Sequence, residues 1–128
     1  MGGVIDMKGL FEAKVLIIII GLLQSIESGS ITIIEAEKYM FTPRTANRLI
    51  DEGCNDKIVE LLFECCELEN IESLIPDKLN SNVVDLMNRA EELLKSSHDF
   101  QNTDWREYEI LELLNVAGDK PASNKTDL

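Results

Sequence analysis

The feature that most constrains the fold is the apolar run "VLIIIIGLL" over residues 15–23. A helix that spans a bilayer needs roughly 20 consecutive apolar residues. This run is closed by Lys14 on one side and Gln24 on the other, and Glu27 follows one turn later. The segment is therefore predicted to be too short to cross a membrane.

A secretory signal peptide is the nearer alternative for the same run. A short apolar segment behind Lys8 and Lys14 has the outline of such a signal. Asp6 and Glu12 offset the charge of those two lysines, which a signal peptide would retain. We therefore expect the run to build the core of a cytoplasmic protein.

The run is predicted to be helical. Its four consecutive isoleucines favour a strand by propensity, but the apolar pattern extends from Leu10 to Ile26, which is too long for a typical strand. Asp6 as N-cap and Gly29 beyond the end predict a helix from about Met7 to Ser28. Because it is apolar on almost every side, it is expected to be the buried central helix around which the others pack.

Signals for further helices follow at helical intervals. Thr32 opens a T-x-x-E capping box, and Thr42 precedes a proline at the first helical position. The predicted helix starts are Thr32, Thr42, Asn55 or Asp56, and Ser81, and the predicted stops are Gly53, Leu68 and Pro76. The fold is therefore predicted to be all-α, a single compact bundle of five to six helices around a central hydrophobic helix.

The last part of the chain is less regular in its pattern. The segment "DWREYEILELLN", within residues 104–115, alternates as a strand would, yet it also repeats apolar residues at helical spacing. We predict a helix there, with a strand as the alternative, and expect Trp105 and Tyr108 to pack against the central helix. Residues 1–116 are predicted to form one helical domain, and residues 117–128, which are polar, a flexible C-terminal tail.

The cysteines indicate no disulfide framework and no metal site. There are three of them, and Cys65 and Cys66 are adjacent. Together with Cys54 and His98 they lack the C-x-x-C or H-x-x-x-H spacing of zinc ligands. We predict free thiols that are buried as small hydrophobes, and we expect no metal and no cofactor.

The charge of the chain excludes some classes of partner. Twelve basic and 24 acidic residues give a net charge of −12, which repels phosphate backbones and anionic lipid surfaces. We therefore expect no direct nucleic-acid binding and no membrane binding. The plainest alternative is a solvated surface that keeps the protein soluble.

The acidic residues are concentrated in one region. Between residues 51 and 72, eight acidic residues and one basic residue give a local charge of −7. At about 100° per residue, the acids of the predicted helix fall on one side and its apolar residues on the other. Such a row of like charges costs an isolated helix energy, so it is expected to serve a basic partner. The candidate partner-binding residues are Asp51, Glu52, Asp56, Glu60, Phe63, Glu64 and Glu67.

Phe63 has two interpretations. The same helical rotation places it beside Asp56 and Glu67, where an aromatic ring among carboxylates suits a contact anchor for a basic protein. Alternatively, the ring folds over a neighbouring helix at the margin of the core.

No constellation of catalytic residues is visible. His98 is the only histidine, and its place in "SSHDF" after a predicted helix end is explained by a solvated C-terminal cap, without a nucleophile for it to activate. There is no Gly-rich phosphate loop, and the carboxylates lie in sequence that is expected to be exposed. We predict that the protein is not an enzyme.

Two resemblances bear on function. The order "GLLQSIESGSITIIEAEKYMFTP", "CELENIESLIPDKL" and "AEELL" resembles a family of small uncharacterised bacterial helical proteins over roughly residues 10–95. In size and charge the chain also resembles the immunity proteins of contact-dependent and polymorphic toxin systems, each of which neutralises one toxin in the cytoplasm. This second resemblance implies a basic toxin domain as partner, with a nuclease such as an RNase as the expected class. The alternative is an acidic regulatory adaptor or nucleic-acid mimic that binds a host protein.

Overall fold

The computed structural model describes residues 7–96, and every regular element within this range is helical. The elements are α1 (Met7–Glu27), α2 (Ile33–Tyr39), α3 (Pro43–Asp51), α4 (Asp56–Cys65), α5 (Leu68–Leu74), a 3-10 turn (Pro76–Lys78) and α6 (Leu79–Lys95). The predicted all-α class is confirmed for this range. The predictions for His98, for residues 104–115 and for the tail lie outside the described residues.

The predicted N-terminal caps of α2, α3 and α4 are confirmed. The Glu35 amide donates to Thr32 Oγ1 at 3.0 Å, and the Thr32 amide donates to Glu35 Oε1 at 2.8 Å, which completes the capping box. Thr42 Oγ1 accepts from the Thr45 amide at 3.3 Å, and Asn55 Oδ1 accepts from the Lys57 amide at 2.7 Å. Short polar side chains therefore fix where these helices begin.

Glycines follow α1 and α3, as predicted. Gly29 has φ +82° and Gly53 has φ +77°, the left-handed region that a side chain disfavours. After α1 the Ser30 amide donates to the Ser25 carbonyl at 2.8 Å, which satisfies an end carbonyl of the helix.

Two predicted boundaries are wrong. Helix α4 ends at Cys65 instead of continuing to Leu68, because the chain turns there and Leu68 enters the core as the first residue of α5. Helix α6 begins at Leu79 instead of opening at Ser81. The hydroxyl of Ser81 donates to the Lys78 carbonyl at 3.1 Å, so it lies within the first turn and does not cap it.

The core lies mainly between α1 and α6. Ala13, Leu16, Ile19 and Leu23 of α1 are buried, as are Val83, Leu86, Met87 and Ala90 of α6, and these two helices share the most extensive helix–helix contact of the described residues. The other helices add side chains to the same core, including Phe41, Leu61 and Leu62, which are almost fully buried. This continuous packing is the main stabilising feature of the fold.

Helix α1 was expected to be a largely buried central helix with the others packed around it, but the described helices do not surround it completely. Phe11 and Ile17 are exposed, while Leu16 and Ile19 are buried. The reason is that the described helices α2–α6 leave one side of α1 uncovered.

The apolar run was expected to be too short to cross a membrane, but the helix that contains it is long enough. The helix from Lys8 to Glu27 has a mean hydropathy of 1.9 and the length needed for a crossing, because its apolar character extends beyond the central run. Of this apolar segment of α1, 39% is buried inside the protein. Length and composition alone thus do not separate a core helix from a membrane helix here.

Candidate functional site

The candidate partner-binding residues lie on the outward side of α3 and α4 or just beyond the ends of these helices. Helix α4 turns Ile58, Val59, Leu61, Leu62 and Cys65 into the core. The remaining positions of the helix then point outward. We call the six exposed acidic residues of this region the acidic face: Asp51, Glu52, Asp56, Glu60, Glu64 and Glu67.

Glu64 of the acidic face is held by Arg89 of α6. Arg89 Nη1 and Nη2 donate to Glu64 Oε1 and Oε2, each at 2.8 Å, in a two-point ion pair. Asp85 lies 3.6 Å from the same guanidinium. The hydrogen bonds from Arg89 lower the pKa of Glu64, and the pair raises the pKa of Arg89. Glu64 therefore has a partner within the domain, which the repulsion expected along the row of acids did not take into account.

Two further acids of the face have partners within the domain. Glu52 Oε2 lies 3.5 Å from Arg48 Nε, and Glu67 Oε1 accepts from Asn70 Nδ2 at 2.8 Å. Glu67 also stands outside α4, at the start of α5, because α4 ends earlier than predicted. The Arg48 contact compensates the charge of Glu52, whereas the neutral Asn70 hydrogen-bonds to Glu67 and leaves its charge in place.

The other three acids remain available to a partner. Within residues 7–96, Asp51, Asp56 and Glu60 make no ion pair, and all three side chains are exposed. Phe63 follows Glu60 by three residues on the same side of α4 and exposes 38% of its surface. Phe63 lies outside the buried core, so its ring is accessible beside the carboxylates.

An open groove of about 340 Å³ runs between α4 and α6 beside this face. It is lined by Lys57, Glu60, Asn88, Arg89, Glu92 and Leu93. Sequence reasoning included only Glu60 among these, because the α4–α6 contact brings together residues that are about 30 positions apart. Local periodicity carries no signal for such a contact.

A second group of carboxylates lies between α2 and α5. Burial raises the pKa of Glu37, and a side-chain hydrogen bond with Glu69 raises it further, followed by the repulsion between the two charges. Glu37 also lines an open groove of about 480 Å³ at the α2–α3 corner with Lys38 and Arg44. Sequence periodicity did not identify this pair, since its members are 32 positions apart.

All three cysteines are free, and Cys54 and Cys65 are buried while Cys66 is partly buried. Burial raises the pKa of Cys54 and of Cys66 to about 11, and it raises the pKa of Cys65 further. Among the described residues, no group of three or more His, Cys, Asp or Glu side chains is placed to hold a metal ion. The prediction of free, largely buried thiols is confirmed.

Comparison with known proteins gives one match. The profile of a family described as protein of unknown function (DUF3969) matches residues 7–107. No curated protein and no solved structure matches the chain. The match extends about 12 residues beyond the range expected from the sequence resemblance, and nothing in it connects the chain to immunity proteins.

Proposed function

The chain belongs to the family described as protein of unknown function (DUF3969), and from its own surface we propose that it is an immunity protein. It binds a cognate basic toxin domain, a nuclease of the RNase class, and neutralises it by occlusion in the cytoplasm. The scaffold is the helical bundle described over residues 7–96, within a single domain that we place at residues 1–116. The protein has no catalytic activity of its own and needs no cofactor.

One observation carries this proposal: Asp56 and Glu60, exposed acids without an ion pair in the described range, lie on the same side of α4 as an accessible aromatic ring, and Asp51 is exposed at the end of α3. Asp51, Asp56 and Glu60 supply the charge, and Phe63 supplies the apolar contact. A basic protein surface is the physical complement of such a face, because opposite potentials speed encounter and fix orientation. The net charge of −12 extends the same attraction over longer range.

Inhibition of the toxin is the first measurement. The partner is recovered from the native strain with the tagged protein as bait and identified by mass spectrometry, and its RNase activity is then assayed. We expect the wild-type protein to abolish this activity. We expect Asp56→Lys with Glu60→Lys to weaken inhibition by tenfold or more, since each close charge pair contributes about 1.5 kcal/mol or more.

The matched control is Glu27→Lys with Asp77→Lys, which makes the same charge change. Both control residues are exposed and lie outside the acidic face. Glu64 is not reversed because a lysine there would face Arg89, and Glu92 is unsuitable as a control because it shares the groove with Glu60. Equal inhibition by both double variants would show that the face is only a solvated surface.

Association kinetics separate charge from apolar contact. Raising the ionic strength should slow association of the wild-type protein, because the Debye length is about 8 Å near physiological salt. Phe63→Ala should instead raise the off-rate with little change in salt dependence, as expected for a desolvated anchor. A captured partner that binds DNA or RNA without being a toxin, and that the protein displaces from nucleic acid, would favour the adaptor or mimic instead.

A further inference from the structure

The side of α1 that no described helix covers is apolar over about three turns. Phe11 is 37% exposed and Ile17 is 42% exposed, whereas Leu16 and Ile19 on the opposite side are almost fully buried. A rotation of about 100° per residue places the uncovered positions together. We call this side the outer face of α1: Phe11, Ile17 and Gly21 are exposed on it, and Lys14 and Ile18 are half-buried between them.

We propose that the outer face of α1 is the docking site of residues 104–115 of the same chain. Docking of this segment would cover the apolar side chains on the side of α1 that α2–α6 leave open. The three arguments that follow concern the position where the chain leaves α6, the reach of the connection, and the chemistry of the two surfaces.

The chain leaves α6 next to the beginning of α1. The Asn55 amide, just before α4, donates to Glu12 Oε2 of α1 at 2.7 Å. Lys57, two residues further, lines the same groove as Glu92 and Leu93 of α6. The first part of α1 and the last part of α6 therefore lie at the same end of the molecule, and the two helices run antiparallel.

The connection has the right length. Residues 97–103 can span up to about 24 Å when extended, which exceeds the roughly 10 Å between the axes of packed helices. A helix over residues 104–115 would be about 18 Å long, and the outer face from Phe11 to Gly21 extends about 15 Å. The segment thus matches the face it is proposed to cover.

The two surfaces are chemically complementary. The segment holds six large apolar side chains, namely Trp105, Tyr108, Ile110, Leu111, Leu113 and Leu114. It also holds four acids and one base, whereas the first half of α1 carries Lys8 and Lys14. Tyr108, Leu111 and Leu114 recur at helical spacing, and burial of such a set against the outer face contributes the stabilisation, while opposite charge at the edge favours the pairing.

The family match and the covalent connection both favour this segment as the occupant. The matched domain continues past α6 to residue 107, so it includes Trp105. A segment tethered to α6 acts at an effective concentration of about millimolar, whereas a second copy must be supplied from solution. The segment therefore reaches the outer face first under dilute conditions.

Trp105 is the only tryptophan in the chain and reports directly on docking. In the full-length protein we expect blue-shifted emission and protection from acrylamide quenching. Ile17→Lys should shift the emission to longer wavelength and increase quenching, because a charge would enter the contact. Ile50→Lys is the matched control, since Ile50 is also exposed, on α3, and it should leave Trp105 unchanged.

Circular dichroism separates undocking from unfolding, and Phe11→Ala provides a milder second variant if Ile17→Lys fails to fold. The emission of a fully solvated indole in the wild type would overturn the proposal, as would emission that neither α1 variant changes. Emission that becomes blue-shifted only as protein concentration rises would show that a second copy covers the face. A blue shift only on addition of lipid vesicles would assign the face to a membrane.

Discussion

At the scale of single residues, the contact with Arg89 gives one acid of the acidic face a structural role that the others do not share. A row of carboxylates on one helix is unfavourable when it is considered alone. Arg89 approaches from α6 and makes a two-point contact with Glu64, so one acid of the row joins two helices. Glu64 therefore contributes to the contact between α4 and α6. Asp51, Asp56 and Glu60 make no ion pair in the described range and remain available to a partner.

We expect Glu64→Gln and Arg89→Met each to lower the free energy of unfolding by about 0.5–1 kcal/mol at pH 7. The effect is limited because the Glu64 and Arg89 side chains are 53% and 39% exposed, and solvent screens such pairs. Urea unfolding of both variants and of the double variant gives the coupling between the two residues. Additive effects would show that the ion pair contributes nothing.

The same pair predicts a pH dependence. Because Arg89 lowers the pKa of Glu64 in the folded state, the stabilisation is fully present above the ordinary value of 4.5. It is lost as the pH falls below that value and passes through the lowered pKa. The difference in stability between the wild type and Glu64→Gln should therefore shrink on acidification, and a constant difference would contradict this assignment.

At the scale of elements, buried and exposed positions of the helices should differ sharply in their sensitivity to mutation. Ile19 of α1 is fully buried in the core, and Ile34 of α2 is 53% exposed. Ile19→Ala should lower the free energy of unfolding by about 3 kcal/mol, because it removes buried surface and leaves a cavity. Ile34→Ala should lower it by less than about 1 kcal/mol.

The measurement is urea unfolding monitored by circular dichroism. The free energy of unfolding of each variant is its midpoint urea concentration multiplied by a common m value. The same substitution on two helices keeps the chemical change constant, so the contrast depends on burial alone. Similar losses in the two variants would mean that α1 and α6 do not form the principal core contact.

At the scale of the whole molecule, stability should rest on packing without covalent links. Cys54 and Cys65 are buried and Cys66 is partly buried, and none of them is in a disulfide. Reductant should therefore leave the thermal midpoint unchanged. A thiol reagent at pH 7 should react slowly with the folded protein and rapidly in urea, because burial raises the pKa of all three thiols and limits access to them.

The control for the thiol experiment is a count of the reactive thiols in the urea-unfolded chain, which should equal three. A substantial fall in the midpoint on reduction would reveal a disulfide. Rapid reaction of all three thiols in the folded protein would contradict the burial of Cys54 and Cys65.

The local features of the fold were determined by the sequence alone. The capping box at Thr32, the Thr42–Pro43 start and the glycines after α1 and α3 were predicted correctly, because caps and left-handed turns depend on residues within a few positions of each other. The exposure of the acids on α4 also followed from helical periodicity. These interactions are short-range, so the order of residues is sufficient to specify them.

Tertiary structure alone decided which sides of the helices are buried and which acids have an ion-pair partner. It ended α4 at Cys65 so that Leu68 could enter the core, and it left one side of α1 uncovered although the whole helix is apolar. It also brought Arg89 to Glu64, although the two residues are 25 positions apart in the sequence. Glu64 is therefore paired, whereas Asp56 and Glu60 make no ion pair in the described range. The physical reason is that burial and ion pairing depend on which helices meet in space, and no local pattern in the sequence encodes those contacts.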